Sequence, residues 1–271
     1  MTETWFTFPE IDPIAIQLGP LAIRWYALAY IAGILLAWRI LAQQTKAATA
    51  PFTSKQLDQL LNYSLLGIML GGRLGYVLFY DPVYFLANPA DIFKIWQGGM
   101  SFHGGFIGTI MAIIYVCHSQ KIPLAIFSDR VASVAPIGLF FGRLANYING
   151  ELFGRVTDHP IGIVFPAGGP LARHPSQLYE AALEGVLLGI IMFLLARRGA
   201  YSRPFYLTGI FACGYGLSRW LVEYVREPDA HIGVLVQFSG VGLTMGQLLS
   251  LPMIVIGAYL ILRNRKPSTD V

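Results

Sequence analysis

Residues 21–41 read LAIRWYALAYIAGILLAWRIL, an apolar run broken only by Arg24 near one end and Arg39 near the other. A tilted helix needs a run of this length to cross about 30 Å of hydrocarbon. Further runs of the same character lie at 57–80, 100–118, 124–142, 177–196, 205–223 and 244–262, the fourth and sixth of the whole set being the least apolar. The composition agrees. Of 271 residues 55% are hydrophobic and 13% charged, against about 25% charged in an ordinary soluble domain. Nineteen basic and fifteen acidic side chains cannot clothe so much apolar chain in water. Two cysteines exclude a disulfide-stapled secreted scaffold. The sequence predicts an all-α polytopic membrane protein of about seven transmembrane helices with an extracytoplasmic cap, organised as one integral membrane domain over 1–271.

Orientation follows from the basic residues between the runs. Arg39, Lys46, Lys55, Lys121, Arg197, Arg198, Arg203, Arg263, Arg265 and Lys266 fall on one side of an alternating seven-span chain. Lys94, Arg155, Arg173 and Arg226 fall on the other. The N-terminus is therefore expected outside and the C-terminus in the cytoplasm. The opening MTETWFTFPEIDP carries three acids and no base, which is not a signal-peptide n-region. An inner basic collar suits an anionic membrane surface, and no aromatic-interleaved basic stripe points to nucleic acid. Residues 43–56 read as an inner loop, 81–99 as an amphipathic interfacial helix on the outside, and 143–176 as the outer cap. No internal repeat is evident.

Five arginines remain within or at the edges of the spans: Arg24, Arg73, Arg130, Arg143 and Arg219. Each costs roughly 2.5–3.5 kcal/mol near a span centre, so each needs a partner, a cavity or an interface. All but Arg130 fall in the outer half, at a depth set by about 1.5 Å per residue. Tyr26, His103, Asn146, Asn149, Glu151, Glu180, Glu184 and Glu223 fall in the same layer. Guanidinium forks bind phosphate bidentately and keep their charge, which makes an outer-leaflet lipid phosphate the natural ligand. His103 is the neutral-pH proton acceptor of the layer, and Gly104 and Gly105 beside it let a substrate approach the backbone. Structural readings stand beside these. Arg219–Glu223 and Arg130–Asp129 also read as ion pairs, Arg24 as a snorkelling side chain, and Glu180 and Glu184 as partners for arginines of neighbouring helices. The glycines of 67–75 read as a helix contact. No Walker lysine loop, nucleophile elbow or metal-spaced His/Cys pair occurs, so no nucleotide, metal or serine acyl-enzyme is expected. Paired broken helices, which a lipid transporter should show, are also missing from the pattern.

The run GRLANYINGELFGR, Gly142 to Arg155, closely resembles the signature of the bacterial prolipoprotein diacylglyceryl transferases. The likeness extends to Tyr26 after Arg24–Trp25, to SFHGG at 101–105, to RHPSQLYE at 173–180 and to RWLVEYVREPD at 219–229. The resemblance implies transfer of the diacylglyceryl group of phosphatidylglycerol to the lipobox cysteine of a prolipoprotein, with a thioether formed and glycerol phosphate released. It implies the bacterial inner membrane, a site toward the outer leaflet, and no soluble cofactor, since the lipid is itself the donor. Carried over by motif, the functional positions are Tyr26, His103, Arg143, Asn146, Glu151, Gly154, Arg219 and Glu223. Arg143 and Arg219 would stabilise the departing phosphate, Glu223 would orient Arg219, and Tyr26 and Asn146 would hydrogen-bond the lipid. Gly154 would permit a tight turn of the cap. His103 and Glu151 are rival bases. The nucleophile is the substrate's thiol, not Cys117 or Cys213.

Overall fold

A computed structural model describes residues 6–9, 11–19, 21–46, 50–227, 234–238 and 241–264. The protein is mostly helical. The apolar runs fall on helices α1 (Trp25–Gln44), α2 (Ser54–Phe79), α3 (Phe102–Ser119), α4 (Leu124–Ile148), α5 (Ser176–Arg197), α6 (Tyr206–Val222) and α7 (Met245–Arg263). Among the described residues α1, α4, α5 and α7 are both long and apolar enough to cross a bilayer. Their surfaces carry exposed Leu35, Leu36, Ile190, Phe193, Val255 and Leu262, an outward apolar face that water would not tolerate over such an area. The chain is a membrane protein. It folds into two compact units, Met1–Arg39 with Asp129–Val271, and Ile40–Ser128.

In the unit Ile40–Ser128, α2 starts at a capping box in which Thr53 and Gln56 satisfy each other's backbone amides. α2 and α3 then meet through glycine. A Cβ on Gly71 would strike the Gly104 carbonyl, and one on Gly104 would strike that of Gly71. The helix-contact reading of 67–75 therefore holds on α2. Gly104 lets α3 touch α2. The segment 81–99 is not one helix. Pro89 has no amide to give and disfavours helix at Asn88 before it. The segment divides into a short helix at Pro82–Ala87 and 3-10 turns at Pro89–Phe93 and Ile95–Gln97. Val83, Leu86, Phe93 and Trp96 point outward from it. Asp91 is held below the usual carboxylate range by Lys94 at 2.6 Å and the Tyr84 hydroxyl at 2.6 Å. Arg73 belongs to this segment. Its guanidinium donates to the carbonyls of Ile92 (2.8 Å), Gly98 (2.6 Å), Gly99 (3.1 Å) and Asp91 (2.5 Å).

In the other unit, β2 (Ile14–Leu18) and β3 (Leu21–Arg24) form an antiparallel hairpin that runs straight into α1, with the Trp25 amide on the Pro13 carbonyl at 3.1 Å. Arg24 ends that hairpin on an exposed strand. β5 (Val234–Phe238) and β6 (Val241–Thr244) form a second hairpin that runs straight into α7. The two share one register: Ile14 pairs with Arg24 and Val234 with Thr244, with the same irregularity two residues on. A hairpin-then-helix unit is thus repeated 220 positions apart, an internal repeat whose trace in the sequence is the matched apolar pattern of IAIQLGPLAI and VLVQFSGVGL, with Gln17 and Gln237 in the same place. β1 (Phe6–Thr7) pairs in parallel with β4 (Ile163–Val164), and Phe8, Ile163 and Phe165 bury together against Tyr147 and Phe153. This small core holds the cap. Farther along, Asp129 and Arg130 interact electrostatically, and each also has a partner of its own. The Asp129 carboxylate accepts from the Thr208 amide and hydroxyl, both at 2.7 Å, in the first turn of α6, while Arg130 lies 3.5 Å from the Tyr201 ring centre.

Arg73→Ala removes four charge-assisted bonds to carbonyls and should cost the segment 81–99 about 3 kcal/mol of local stability. Hydrogen exchange at Gly98 and Ser101 should accelerate more than a hundredfold, and Arg73→Lys should recover little because one ammonium cannot span four carbonyls.

Candidate functional site

α4 continues six residues past its expected end at 142. Leu144, Ala145 and Ile148 keep its apolar face going, and Gly150, at φ +63°, turns the chain away only afterwards. Arg143 and Asn146 are therefore helical residues and not part of the cap. α5 carries a π-helical stretch at Ala181–Leu187, a widening often found at functional sites, and it begins just after Glu180. Glu180 and Glu184 are wholly buried there.

These helices bring three guanidiniums onto three carboxylates. Arg143 places Nε and Nη2 on Glu184 Oε2 at 3.1 and 3.0 Å, and Nη1 on Glu180 Oε2 at 3.2 Å. Arg219 Nη1 stands 2.6 Å from Glu223 Oε2 and 3.5 Å from Glu180 Oε1. Arg226 Nη1 reaches Glu180 Oε1 at 3.1 Å. Glu180 is thus the hub, touched by all three arginines. Buried charges survive only when paired and bonded in this way. Arg219 spends only Nη1 on described partners. Its side chain is 15% exposed, and its Nε and Nη2 remain as donors.

A second layer borders the array. Asn146 and Asn149 donate to Glu151 Oε1 at 3.0 and 3.3 Å, and the Glu151 carbonyl accepts from buried Gln177 at 2.6 Å. Tyr26 shares a hydroxyl contact of 3.2 Å with Tyr30 and also interacts with the Asn146 side chain. Gly154 makes no turn. It lies between His174 and Val225, donating to the His174 carbonyl at 2.8 Å, and a Cβ would run into the Val225 carbonyl and His174 Cβ. The expected tight turn is replaced by a three-segment backbone sandwich, to which Arg155 adds a bond to the Arg226 carbonyl at 2.9 Å. Burial holds His174 below the ordinary imidazole value, and His159 acts in the same direction.

The structure so brings together Arg143, Arg219 and Glu223 in one array, and Tyr26, Asn146 and Glu151 in another group, with Gly154 in the cap behind. His103 lies in the unit Ile40–Ser128, exposed in the first turn of α3. Sequence reasoning placed Arg226 among the loop cations and left Glu180 as an ordinary partner. The i, i+4 spacing of Arg219 and Glu223 was a signal for that pair, while Arg226 lies past the end of α6 and had none. Tyr215, on the same α6 and within electrostatic reach of Glu184 and Arg143, had no such signal. Gly246 had none either: its Cβ would meet Glu223 Oε2 and Arg219 Nη2, so α7 begins against the ion pair only because that position is bare.

Comparison with known proteins now adds an independent line. The family model "Prolipoprotein diacylglyceryl transferase" matches residues 13–263. The chain belongs to the prolipoprotein diacylglyceryl transferase family. It is 56% identical over 265 residues, 95% of this chain and 94% of the relative, to the phosphatidylglycerol–prolipoprotein diacylglyceryl transferase of Rhizobium meliloti (strain 1021). It is 54% identical to that of Rhodospirillum rubrum over 96% of this chain and 95% of the relative. For the protein of Cereibacter sphaeroides (strain ATCC 17029 / ATH 2.4.9) the identity is 48% over 97% and 99%. Membership thus covers every element that carries the ion array.

Glu180→Gln leaves three buried guanidiniums with one carboxylate fewer and should destabilise the protein by about 3–5 kcal/mol, read as a lowered thermal midpoint in detergent. Gly154→Ala should cost about 1–3 kcal/mol by overpacking, with the loss seen first as faster proteolysis of the cap.

Proposed function

We propose that this chain transfers the diacylglyceryl group of phosphatidylglycerol to the lipobox cysteine of prolipoproteins, the first step of bacterial lipoprotein maturation. The reading carries with it seven spans, an outer N-terminus, a cytoplasmic C-terminus, and a site at outer-leaflet depth in the bacterial inner membrane. The observation that supports it best is the half-spent guanidinium of Arg219. Glu180 and Glu223 fix its Nη1 end, and Nε and Nη2 are left as a fork matched to a phosphate.

The reaction follows from that fork. The substrate thiolate attacks the glycerol carbon that bears the phosphate ester, the C–O bond breaks, and a thioether forms. The thiol's proton ends on the departing glycerol phosphate, so atoms and charge balance without a cofactor. Charge grows on the phosphate oxygen as it leaves, and Arg219 with Arg143 stabilises it. Glu223 orients Arg219, while Tyr26 and Asn146 hydrogen-bond the lipid. A free thiol, with pKa near about 8.5, needs an acceptor for its proton. His103 is our choice for that base and Glu151 its rival. Gly154 supports the site through the cap backbone.

The test incubates purified protein with phosphatidylglycerol and a lipobox peptide and weighs the peptide by mass spectrometry. The expected product is heavier by one diacylglyceryl group, is absent with a Cys→Ser peptide, and appears with glycerol phosphate. An unmodified peptide beside an active transferase control would remove the proposal. Arg219→Ala should lower turnover about 10²–10³-fold, and His103→Gln about 10²–10⁴-fold with lipid binding retained. Full activity in His103→Gln would transfer the base to Glu151.

A further inference from the structure

We infer that the anionic headgroup enters the arginine array together with one proton, and that Glu184 is the carboxylate that takes it. This rests on the reading above that the array receives phosphatidylglycerol.

Charge counting raises the need. Among the described residues Arg143, Arg219 and Arg226 face Glu180, Glu184 and Glu223, so their three formal positive charges meet three formal negative ones before any ligand arrives. A phosphodiester adds one negative charge to a place where side chains are 0–16% exposed. Uncompensated charge is expensive in such a setting, and Arg143 cannot turn to the phosphate while both its edges are held by carboxylates. One carboxylate has to give up its charge.

Geometry selects which one. Glu180 is held by three arginines. Glu223 pairs with Arg219 at 2.6 Å and packs against the first turn of α7 at Gly246, where a helix N-terminus favours negative charge. Glu184 has Arg143 alone, and both contacts of that pair fall on Oε2. Its Oε1 is buried with no hydrogen-bond partner among the described residues, and Arg143 is the one guanidinium among them at ion-pair distance from this carboxylate, whereas Glu180 meets three. A bare buried carboxylate oxygen is a standing desolvation cost that a proton removes. The groups facing Glu184 are Arg143 from α4, Glu180 from its own helix, and Tyr215 and Arg219 from α6. Arg143 is the guanidinium bonded to Glu184, so turning it to the phosphate would leave a buried carboxylate without its counter-charge, and a proton removes that cost.

Linkage sets the sign. Wherever Glu184 is ionised in the free protein, lipid affinity falls about tenfold for each unit of rising pH, and it levels off at lower pH where the proton is already bound. The experiment is isothermal titration of the full chain in detergent with dihexanoyl-phosphatidylglycerol, between pH 6 and 9, in two buffers of different ionisation enthalpy. The wild type should take up one proton per lipid on the alkaline side, and Glu184→Gln should bind with no proton uptake and no pH slope. Dihexanoyl-phosphatidylcholine, with no net charge, should show neither in either protein. Phosphatidylglycerol binding without proton uptake by the wild type overturns the inference and leaves the proposed function standing. This arm needs no variant and so does not depend on how Glu184→Gln folds. Proton uptake retained by Glu184→Gln overturns the assignment to Glu184. No phosphatidylglycerol binding at any pH overturns both.

Discussion

Glu180 is the side chain on which the rest of the site depends. It is wholly buried, and Arg143, Arg219 and Arg226 all converge on its two oxygens. Each guanidinium comes from a different stretch: α4, α6 and the turn just after α6. None could rest at that depth alone, because a buried unpaired arginine costs more than any one helix contact returns. The carboxylate therefore does more than neutralise charge. It fixes the mutual position of α4, α5 and α6 within the unit Met1–Arg39 with Asp129–Val271, since the three cations can be satisfied together only when the helices lie in this arrangement.

The backbone around the hub is built to hold it still. Gln177, three residues before Glu180 and one helical turn away, ties α5 to the Glu151 carbonyl, and Ser176 ties it to the Leu152 carbonyl at 2.9 Å. Arg226 is anchored from the other side, because its carbonyl accepts from Arg155 and its backbone bridges Gly154. The cap thus connects the two ends of the ion array through main-chain bonds, and Gly154 matters because three segments meet there with no room for a side chain. Asn146 and Glu151 occupy the junction between array and cap. Side chains that look scattered over 80 positions of sequence are neighbours through these few bonds.

Much of the helical architecture was legible because hydrophobic runs are a property of composition, and each apolar run lies mainly on a helix, although the first gives up Leu21–Arg24 to β3. The gathering of arginines and glutamates was legible for the same reason: polar residues in apolar runs are costly and have to find one another. What escaped was anything decided by backbone alone. The flat sandwich at Gly154 leaves little trace in residue type, whereas Pro89 and the matched runs IAIQLGPLAI and VLVQFSGVGL were present as unread signals. Arg73 shows the limit of depth arguments. Its depth put it among the candidate phosphate ligands, yet its donors go to the carbonyls of 91–99. Arg226 shows the converse, a cation assigned to a loop that the turn after α6 folds back onto Glu180.

Arginine, and not lysine, suits this place for a reason that the carboxylates make clear. An ammonium among apolar helices could shed its proton and become neutral, whereas guanidinium keeps its charge and offers five donors in a plane. Two donor edges per residue let one edge stay on a structural carboxylate, as Arg219 Nη1 does on Glu180 and Glu223, while the other edge is open to a ligand. The same pairing moderates affinity. A guanidinium already engaged with Glu180 or Glu223 binds a ground-state phosphodiester less tightly than a free one would. In the proposed transfer its attraction would rise as charge accumulates on the leaving oxygen, and interactions that strengthen only then are the ones that speed a reaction. Carboxylates facing the arginines thus let the charge remain buried, and in the proposed transfer they would save the stronger contact for the step in which the C–O bond breaks.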